Sequence, residues 1–141
     1  MTRHRWVLIT GLAGGILAGI NSASPAHAGL AEAQAAYNTG DFAGAFKELK
    51  PAAEAGDAEA QALIAGMYAR GQGIPADPAE AARWYGLAAD QGHLYATTML
   101  GWFYMRGIGV EQDAVKGYRL LSRAAARGQP RAVEMKQAVA E

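Results

Sequence analysis

"YARGQGIPAD" runs from Tyr68 to Asp77, and "YMRGIGVEQD" runs from Tyr104 to Asp113. The tyrosine, the arginine, both glycines and the aspartate recur at a shift of 36 positions. The repeat extends beyond these two loops, because the segment "AARWYGLAADQG" (81–92) is similar to "GYRLLSRAAARG" (117–128), again at a shift of 36 positions. A fixed period in this range is the signature of a repeat architecture.

The apolar residues within each copy are spaced as they are on helices. Ala60, Ile64 and Tyr68 are four positions apart, so they share one helix face. No window alternates with a period of two, so we expect no strands. The pattern predicts an all-α chain whose antiparallel helix pairs stack into a short right-handed α/α superhelix. The predicted helices are 30–38, 42–55, 58–70, 78–91, 94–106, 114–127 and 130–140.

The first 28 residues are predicted to be a cleaved signal peptide. Arg3 and Arg5 precede a run of 15 mostly apolar residues, and Ala-His-Ala ending at Ala28 has the pattern of a cleavage site. A membrane anchor is the alternative, but the run is shorter than the roughly 20 residues that span a bilayer. We therefore expect a periplasmic or secreted protein without stable membrane insertion after cleavage.

The remaining 29–141 are predicted to form one repeat domain. It divides into a partial unit (30–56), two full units (57–92 and 93–128) and a capping helix (129–141). Without Arg3 and Arg5, 11 basic and 13 acidic residues remain of the 13 and 13 in the whole chain. This balance does not favour binding to nucleic acid. The start of the domain is acidic and its end is basic, which either orients a partner or is an ordinary solvated surface.

The repeated Gly-x-Gly loops are interpreted as hinges between helices. A phosphate loop follows a strand and carries a third glycine or a Lys-Ser/Thr pair, and these loops have neither feature. The first glycine can end a helix in the left-handed conformation, and the aspartate can cap the next helix. Glu80 is expected to complete a capping box with Asp77. The structural residues of the hinges are Tyr68, Gly71, Gly73, Asp77, Tyr104, Gly107, Gly109 and Asp113.

The mature chain offers few residues for catalysis. His93 is its single histidine and Ser122 its single serine, and cysteine is absent from the whole chain. His93 precedes a predicted helix, where a cap is the simpler interpretation than a metal ligand. Ser122 has no base at a spacing that would activate it. We predict no catalytic residues, no metal site and no cofactor, and therefore no enzyme.

The repeats resemble the Sel1-like repeat, a relative of the tetratricopeptide repeat. The resemblance is carried by the tyrosine and glycines of the loops, by Gly101 and by the aromatic pair Trp84-Tyr85. The chain departs from the pattern at Ala65 and at Leu120-Leu121, which replace the glycine and the aromatic pair. The resemblance implies an α/α superhelix that binds other proteins.

By analogy with such superhelices, the first helix of each pair lines a concave groove. Trp102 is interpreted equally well as a residue of the groove or as a residue of the core. The partner-binding groove is predicted to contain Glu59, Arg70, Tyr95, Thr98, Trp102, Met105 and Arg106.

The favoured function is an exported module that binds a protein or peptide partner, in envelope signalling or assembly. A toxin-neutralising immunity protein and a hydrolase of cell-wall material or β-lactams are the alternatives. The chain is expected to be a monomer or a weak homo-oligomer.

Overall fold

The structure, a computed structural model, describes residues 25–140, with side chains from Gly29 onward. This part of the chain is all-α, as the sequence predicts, and contains no strand. Its seven helices are α1 (Pro25–Asn38), α2 (Phe42–Glu54), α3 (Ala58–Arg70), α4 (Pro78–Asp90), α5 (Leu94–Arg106), α6 (Ala114–Ala126) and α7 (Pro130–Ala140).

The first helix begins earlier than the sequence predicts. α1 starts at Pro25 rather than at residue 30, so it includes the last residues of the predicted signal peptide. Proline is well suited to a first helical turn, where its missing N–H has no partner to lose. The rest of the predicted signal peptide lies outside the described residues. Gly29 lies close to α2, because a methyl group there would be 2.8 Å from the Glu48 carbonyl oxygen.

Each helix packs mainly against its neighbours in the chain, which produces a row of stacked hairpins. The core between the helices is built largely from alanine, and its fully buried members include Ala45, Ala60, Ala81 and Ala96. Small side chains allow the helix backbones to approach closely. Larger side chains such as Ile64 fill the remaining space, so one continuous core of buried residues runs from α1 to α5.

The two Gly-x-Gly hinges have the same geometry. Gly71 has φ 66° and ψ 40°, and Gly107 has φ 66° and ψ 39°. In both hinges the aspartate N–H donates to the tyrosine carbonyl at 2.9 Å, which satisfies an acceptor that a helix end would leave unpaired. The predicted role of the loops as hinges is therefore confirmed in both copies.

The second glycine of each hinge also packs against the preceding repeat. Gly73 has φ +75°, and a methyl group there would lie 2.5 Å from the Phe42 carbonyl carbon and 2.6 Å from the Ala43 nitrogen at the start of α2. Gly109 has φ +67° and would meet Pro78 and Ala79 at the start of α4 in the same way. These glycines therefore join successive units, a role that the sequence analysis did not predict.

Only one of the two hydrogen bonds of the predicted capping box at α4 is present. Asp77 caps the helix as expected, since its carboxylate accepts from Glu80 N–H at 3.1 Å. The Glu80 side chain does not return to Asp77 but binds Arg83 at 2.9 Å. The reason is that Asp77 N–H already donates to Tyr68, so it has no need of the glutamate.

Candidate functional site

The candidate site is a pocket of about 390 Å³ on the face formed by the first helices of the hairpins. It lies between α1 and α3 and reaches the start of α5. Its size falls within the roughly 300–1,000 Å³ of small-ligand pockets. Its lining is Ala33, Gln34, Tyr37, Leu49, Glu59, Ala62, Leu63, Gly66, Met67, Arg70, His93 and Tyr95.

A difference between the two full repeats explains where the pocket lies. Gly66 in α3 has no side chain, and it lines the pocket. One repeat later the same position holds Trp102, which is half-buried and packs against the core. The indole packs against the core in α5, whereas at Gly66 in α3 the Arg70 guanidinium lies over the glycine beside the opening. The opening lies on the α1–α3 side of the solenoid.

Arg70 forms one end of the pocket. Its Nη1 donates to the Gln72 side-chain oxygen at 3.1 Å and to the Tyr37 hydroxyl at 3.4 Å. The hydrogen bond to Tyr37 raises the pKa of Arg70, and the same contact lowers the pKa of Tyr37. The Tyr37 hydroxyl in turn donates to Gln72 at 3.0 Å. The Arg70 guanidinium therefore lies at the rim of the pocket and is hydrogen-bonded to neutral oxygens.

Glu59 and His93 form the opposite end. The ring Nδ1 of His93 accepts from Ala96 N–H at 3.2 Å, so His93 is the N-cap of α5, as the sequence predicts. Because Nδ1 is an acceptor, the ring proton lies on Nε2. Nε2 is 2.8 Å from a Glu59 carboxylate oxygen and donates to it. The pocket thus runs from a guanidinium at one end to a carboxylate at the other.

An aromatic cluster supports the wall of the pocket. Tyr85 is 1% exposed and packs edge-on against Phe103, with ring centroids 5.6 Å apart. Tyr95, which lines the pocket, packs against the other side of Tyr85 at 6.3 Å. Burial raises the pKa of Tyr85, because the charged phenolate would lose its hydration there. The wall is therefore a packed part of the core rather than a loose loop.

The predicted groove residues divide into those that line the pocket and those that do not. Glu59, Arg70 and Tyr95 line it. The prediction for Thr98 is wrong, because its side chain is 0% exposed and its hydroxyl donates to the Leu94 carbonyl at 2.9 Å. Thr98 cannot touch a partner, since a helix in the middle of a solenoid is covered on several sides.

The other three predicted groove residues are in α5, away from this pocket. The Arg106 guanidinium lies 5.1 Å from the centre of the Trp102 ring. Met105 is half-buried, and a methyl group at Gly117 would lie 2.6 Å from its Cγ. Met105 therefore faces the start of α6. Together these side chains fill the next repeat rather than line an opening.

Sequence reasoning missed several residues of the pocket, notably Tyr37, Leu63, Met67 and His93. Leu63 had a visible signal, because it is a leucine off the buried stripe of α3, and it is 37% exposed. Tyr37 had a weaker signal, since it is the tyrosine of the shortened first unit. Its position beside Arg70 depends on how α1 packs, which the spacing of residues does not determine.

The candidate catalytic groups are not arranged as an active site. The Ser122 hydroxyl is buried without a hydrogen-bond partner among the described residues. It lines a cleft between α6 and α7, where Lys136 lies 5.4 Å from the Tyr118 ring centre and makes no hydrogen bond with the serine. No cluster of three His, Asp or Glu side chains is placed to hold a metal ion in residues 25–140. Each helix in that range is too short or too polar to cross a bilayer.

Several solved structures resemble this fold, including the three that follow. A Sel1 repeat protein from Oxalobacter formigenes is 34% identical with a TM-score of 0.74, over 81% of this chain and 34% of its own. The protective antigen c5321 from uropathogenic Escherichia coli, with an SLR fold, is 33% identical with a TM-score of 0.66, over 74% of this chain and 22% of its own. Cysteine-rich protein B of Helicobacter pylori shares the fold at 21% identity and a TM-score of 0.61, over 64% of this chain and 68% of its own.

The match to the Oxalobacter protein spans about a third of that protein's length. No curated protein sequence matches this chain significantly. The sequence profile of the Sel1 repeat matches residues 58–93 and 94–129, which are just over half of the chain. The repeated hinges, the stacked hairpins and this profile agree, and the chain belongs to the Sel1 repeat family.

Proposed function

We propose that this protein is exported and binds a segment of a partner protein in the pocket between α1 and α3. Sel1 repeat proteins are generally protein–protein interaction modules, and their fold is typically a non-catalytic scaffold. The single observation that carries the proposal is the pocket itself, which opens on the face of the first helices and combines an apolar floor with charged ends.

The floor of the pocket suits an apolar anchor. Ala62 and Met67 are buried there, while Leu63 remains 37% exposed at the edge. A partner side chain that covers this leucine removes apolar surface from water, at about 25 cal/mol per Å². Interfaces obtain most of their binding energy from a few such anchors in pockets. A short segment of a partner, rather than a broad flat surface, fits this geometry.

Export is proposed from the sequence pattern that ends at Ala28. Cleavage there leaves Gly29 as the first residue and retains the part of α1 that lines the pocket, including Tyr37. Mass spectrometry of the periplasmic fraction is expected to find a chain that starts at Gly29. An intact chain that remains in the membrane fraction would contradict export with cleavage. Envelope signalling, assembly and toxin neutralisation all remain within this proposal.

Site-specific crosslinking in cells tests the binding surface. A photoreactive amino acid replaces Leu63 at the edge of the pocket or, as a matched control, Leu87 on α4. The two leucines are exposed to nearly the same extent, 37% and 39%, but Leu87 lies outside the pocket. We expect one defined adduct from position 63 and none from position 87. Equal labelling at both positions, or labelling at 87 alone, would refute the concave face as the binding surface.

A further inference from the structure

Arg70 is a cation without an anionic partner in the described part of the chain. The ion pairs found there are Lys50–Glu54 and Arg83–Glu80, and Glu59 accepts a hydrogen bond from the neutral His93 ring. Arg70 Nη1 donates to the neutral oxygens of Tyr37 and Gln72, and hydrogen bonds to Tyr37 and then to Tyr95 raise the pKa of Arg70. A guanidinium has five N–H donors, so further donors remain for a ligand.

The position of this guanidinium is fixed by its surroundings. A methyl group at Gly66 would lie 3.0 Å from Arg70 Nη2, so the guanidinium lies over the glycine although the residue remains exposed to solvent. Tyr37 and Gln72 hold the other end of the guanidinium in place. Preorganised donors bind an anion with little further loss of side-chain freedom. Arg106, one repeat later, instead lies over the Trp102 ring.

The pocket places apolar surface directly beside this cation. Ala62, Leu63 and Met67 line it on α3, between the guanidinium and the Glu59 end. Glu59 and Arg70 are 11 positions apart on one helix, which is about 16 Å along its axis. An extended peptide of roughly five residues covers that distance. The Glu59 carboxylate disfavours a second negative charge at its end, so a bound segment has a defined direction.

We propose that the pocket binds a short extended peptide in which a carboxylate stands beside an apolar side chain. The carboxylate pairs with Arg70, and the apolar side chain lies on the exposed Leu63, above the buried Met67. This inference rests on the proposed function and names the chemistry of the partner segment. Arginine and carboxylate form two parallel hydrogen bonds, about twice as strong as neutral ones, which makes the anion the specificity determinant. The carboxylate comes from a free C-terminus or from an Asp or Glu side chain.

Affinity selection from synthetic peptides tests the proposal and separates these two sources. The purified protein is mixed with a pool of random short peptides made either with free C-terminal carboxylates or with C-terminal amides. Retained peptides from the first pool are expected to carry a carboxylate next to Leu, Met or Phe. Retention only from the free-acid pool identifies the C-terminus as the source, and retention of Asp- or Glu-containing amides identifies the side chain. Retained peptides without any carboxylate preference would overturn the inference.

Substitution of the arginine provides the matched comparison. Arg70→Gln is expected to weaken binding of the selected peptides by about tenfold to a hundredfold, the usual effect of losing a charged hydrogen bond. Arg83→Gln, which removes an exposed arginine outside the pocket, is expected to change binding by less than about twofold. Arg70→Lys keeps the charge but loses the paired geometry, so its binding is expected to be intermediate. Equal affinity of Arg70→Gln and Arg83→Gln would refute the role of Arg70.

The outcomes distinguish this inference from the function on which it rests. If crosslinking labels position 63 but the selected peptides show no need for a carboxylate or for Arg70, the inference fails and the proposed function stands. If neither pool yields peptides and crosslinking does not favour position 63, both fail. Far-ultraviolet circular dichroism and melting curves for each variant show whether the fold is retained, and Arg70→Lys supplies the comparison if Arg70→Gln is unfolded.

Discussion

Replacement of Gly73 by alanine tests whether the Gly-x-Gly loops couple successive repeats. Gly73 has φ +75°, and an added methyl group would lie 2.5–2.6 Å from the backbone of Phe42 and Ala43. The left-handed conformation costs an alanine about 1–2 kcal/mol. Forcing the two backbones apart costs about 1–3 kcal/mol more, by analogy with overpacked cores. We therefore expect a total loss of about 2–5 kcal/mol, out of the 5–15 kcal/mol that typically stabilises a domain.

Gly40→Ala is the matched control for this substitution. Gly40 has φ +82°, but nothing lies within 4 Å of the place where its methyl group would be. It carries the conformational cost without the contact, so we expect a loss of about 1–2 kcal/mol. The reduced freedom of the unfolded chain affects both variants and cancels in the comparison. Urea denaturation followed by circular dichroism measures both values. A Gly73→Ala variant no less stable than Gly40→Ala would refute the coupling role.

Three further substitutions test the cores and caps of the two full repeats. Trp102→Ala is expected to lower the free energy of unfolding by about 1.5–3 kcal/mol. This loss is smaller than that for a fully buried tryptophan, because the ring is half-buried. An unchanged free energy of unfolding in urea denaturation would place Trp102 outside the core. Asp113→Ala is expected to cost about 1 kcal/mol, since its carboxylate accepts from Lys116 N–H at 2.9 Å, and Asp113→Asn should restore most of the loss in the same assay. Tyr85→Phe tests the pH dependence of stability. Burial raises the pKa of Tyr85 in the folded state above the unfolded value of about 10. The contribution of Tyr85 to the free energy of unfolding is therefore complete below pH ~10 and declines as the pH rises above that value. The variant should therefore lose less stability than the wild type in denaturation between about pH 9 and pH 11, and parallel curves would contradict the assignment.

Much of the fold could be predicted because the sequence pattern of each helix and hinge occurs in both full repeats. The hinge from Tyr68 to Asp77 contains its own helix stop and helix start, and the copy at Tyr104 confirms the pattern. Local signals of this kind depend on residues close together in the sequence. The start of α1 was missed because nothing repeats there: the helix continues back to Pro25, past the expected boundary.

The contacts between units could not be predicted in the same way. Gly73 appeared to need only a bend, yet it packs on the start of α2, about 30 residues earlier in the chain. Gln91, at the end of α4, likewise donates to the Gly56 carbonyl of the preceding loop at 2.9 Å. One repeat further along the chain, Arg127 donates in the same way to the Gly92 carbonyl at 3.5 Å. Such contacts depend on how far successive hairpins rotate, which a pattern of apolar residues does not specify.

The candidate site was predicted only in part for the same reason. Glu59, Arg70 and Tyr95 were identified because repeat positions just off the buried stripe usually face the groove. Thr98 satisfies the same counting rule but is buried, since the helices around α5 leave it little exposed surface. Gly66 lines the pocket without a side chain, and only the packed structure shows that Arg70 lies over it beside the opening.

We propose that a partner binds on the face of α1 and α3. Amide chemical-shift mapping with a synthetic peptide that copies the partner segment crosslinked to position 63 is the sharpest test of this proposal. Shifts are expected to be concentrated at Ala62, Gly66, Arg70 and Tyr95 and to saturate as the peptide is added. Shifts confined to α6 and α7, or none at saturating peptide, would contradict it.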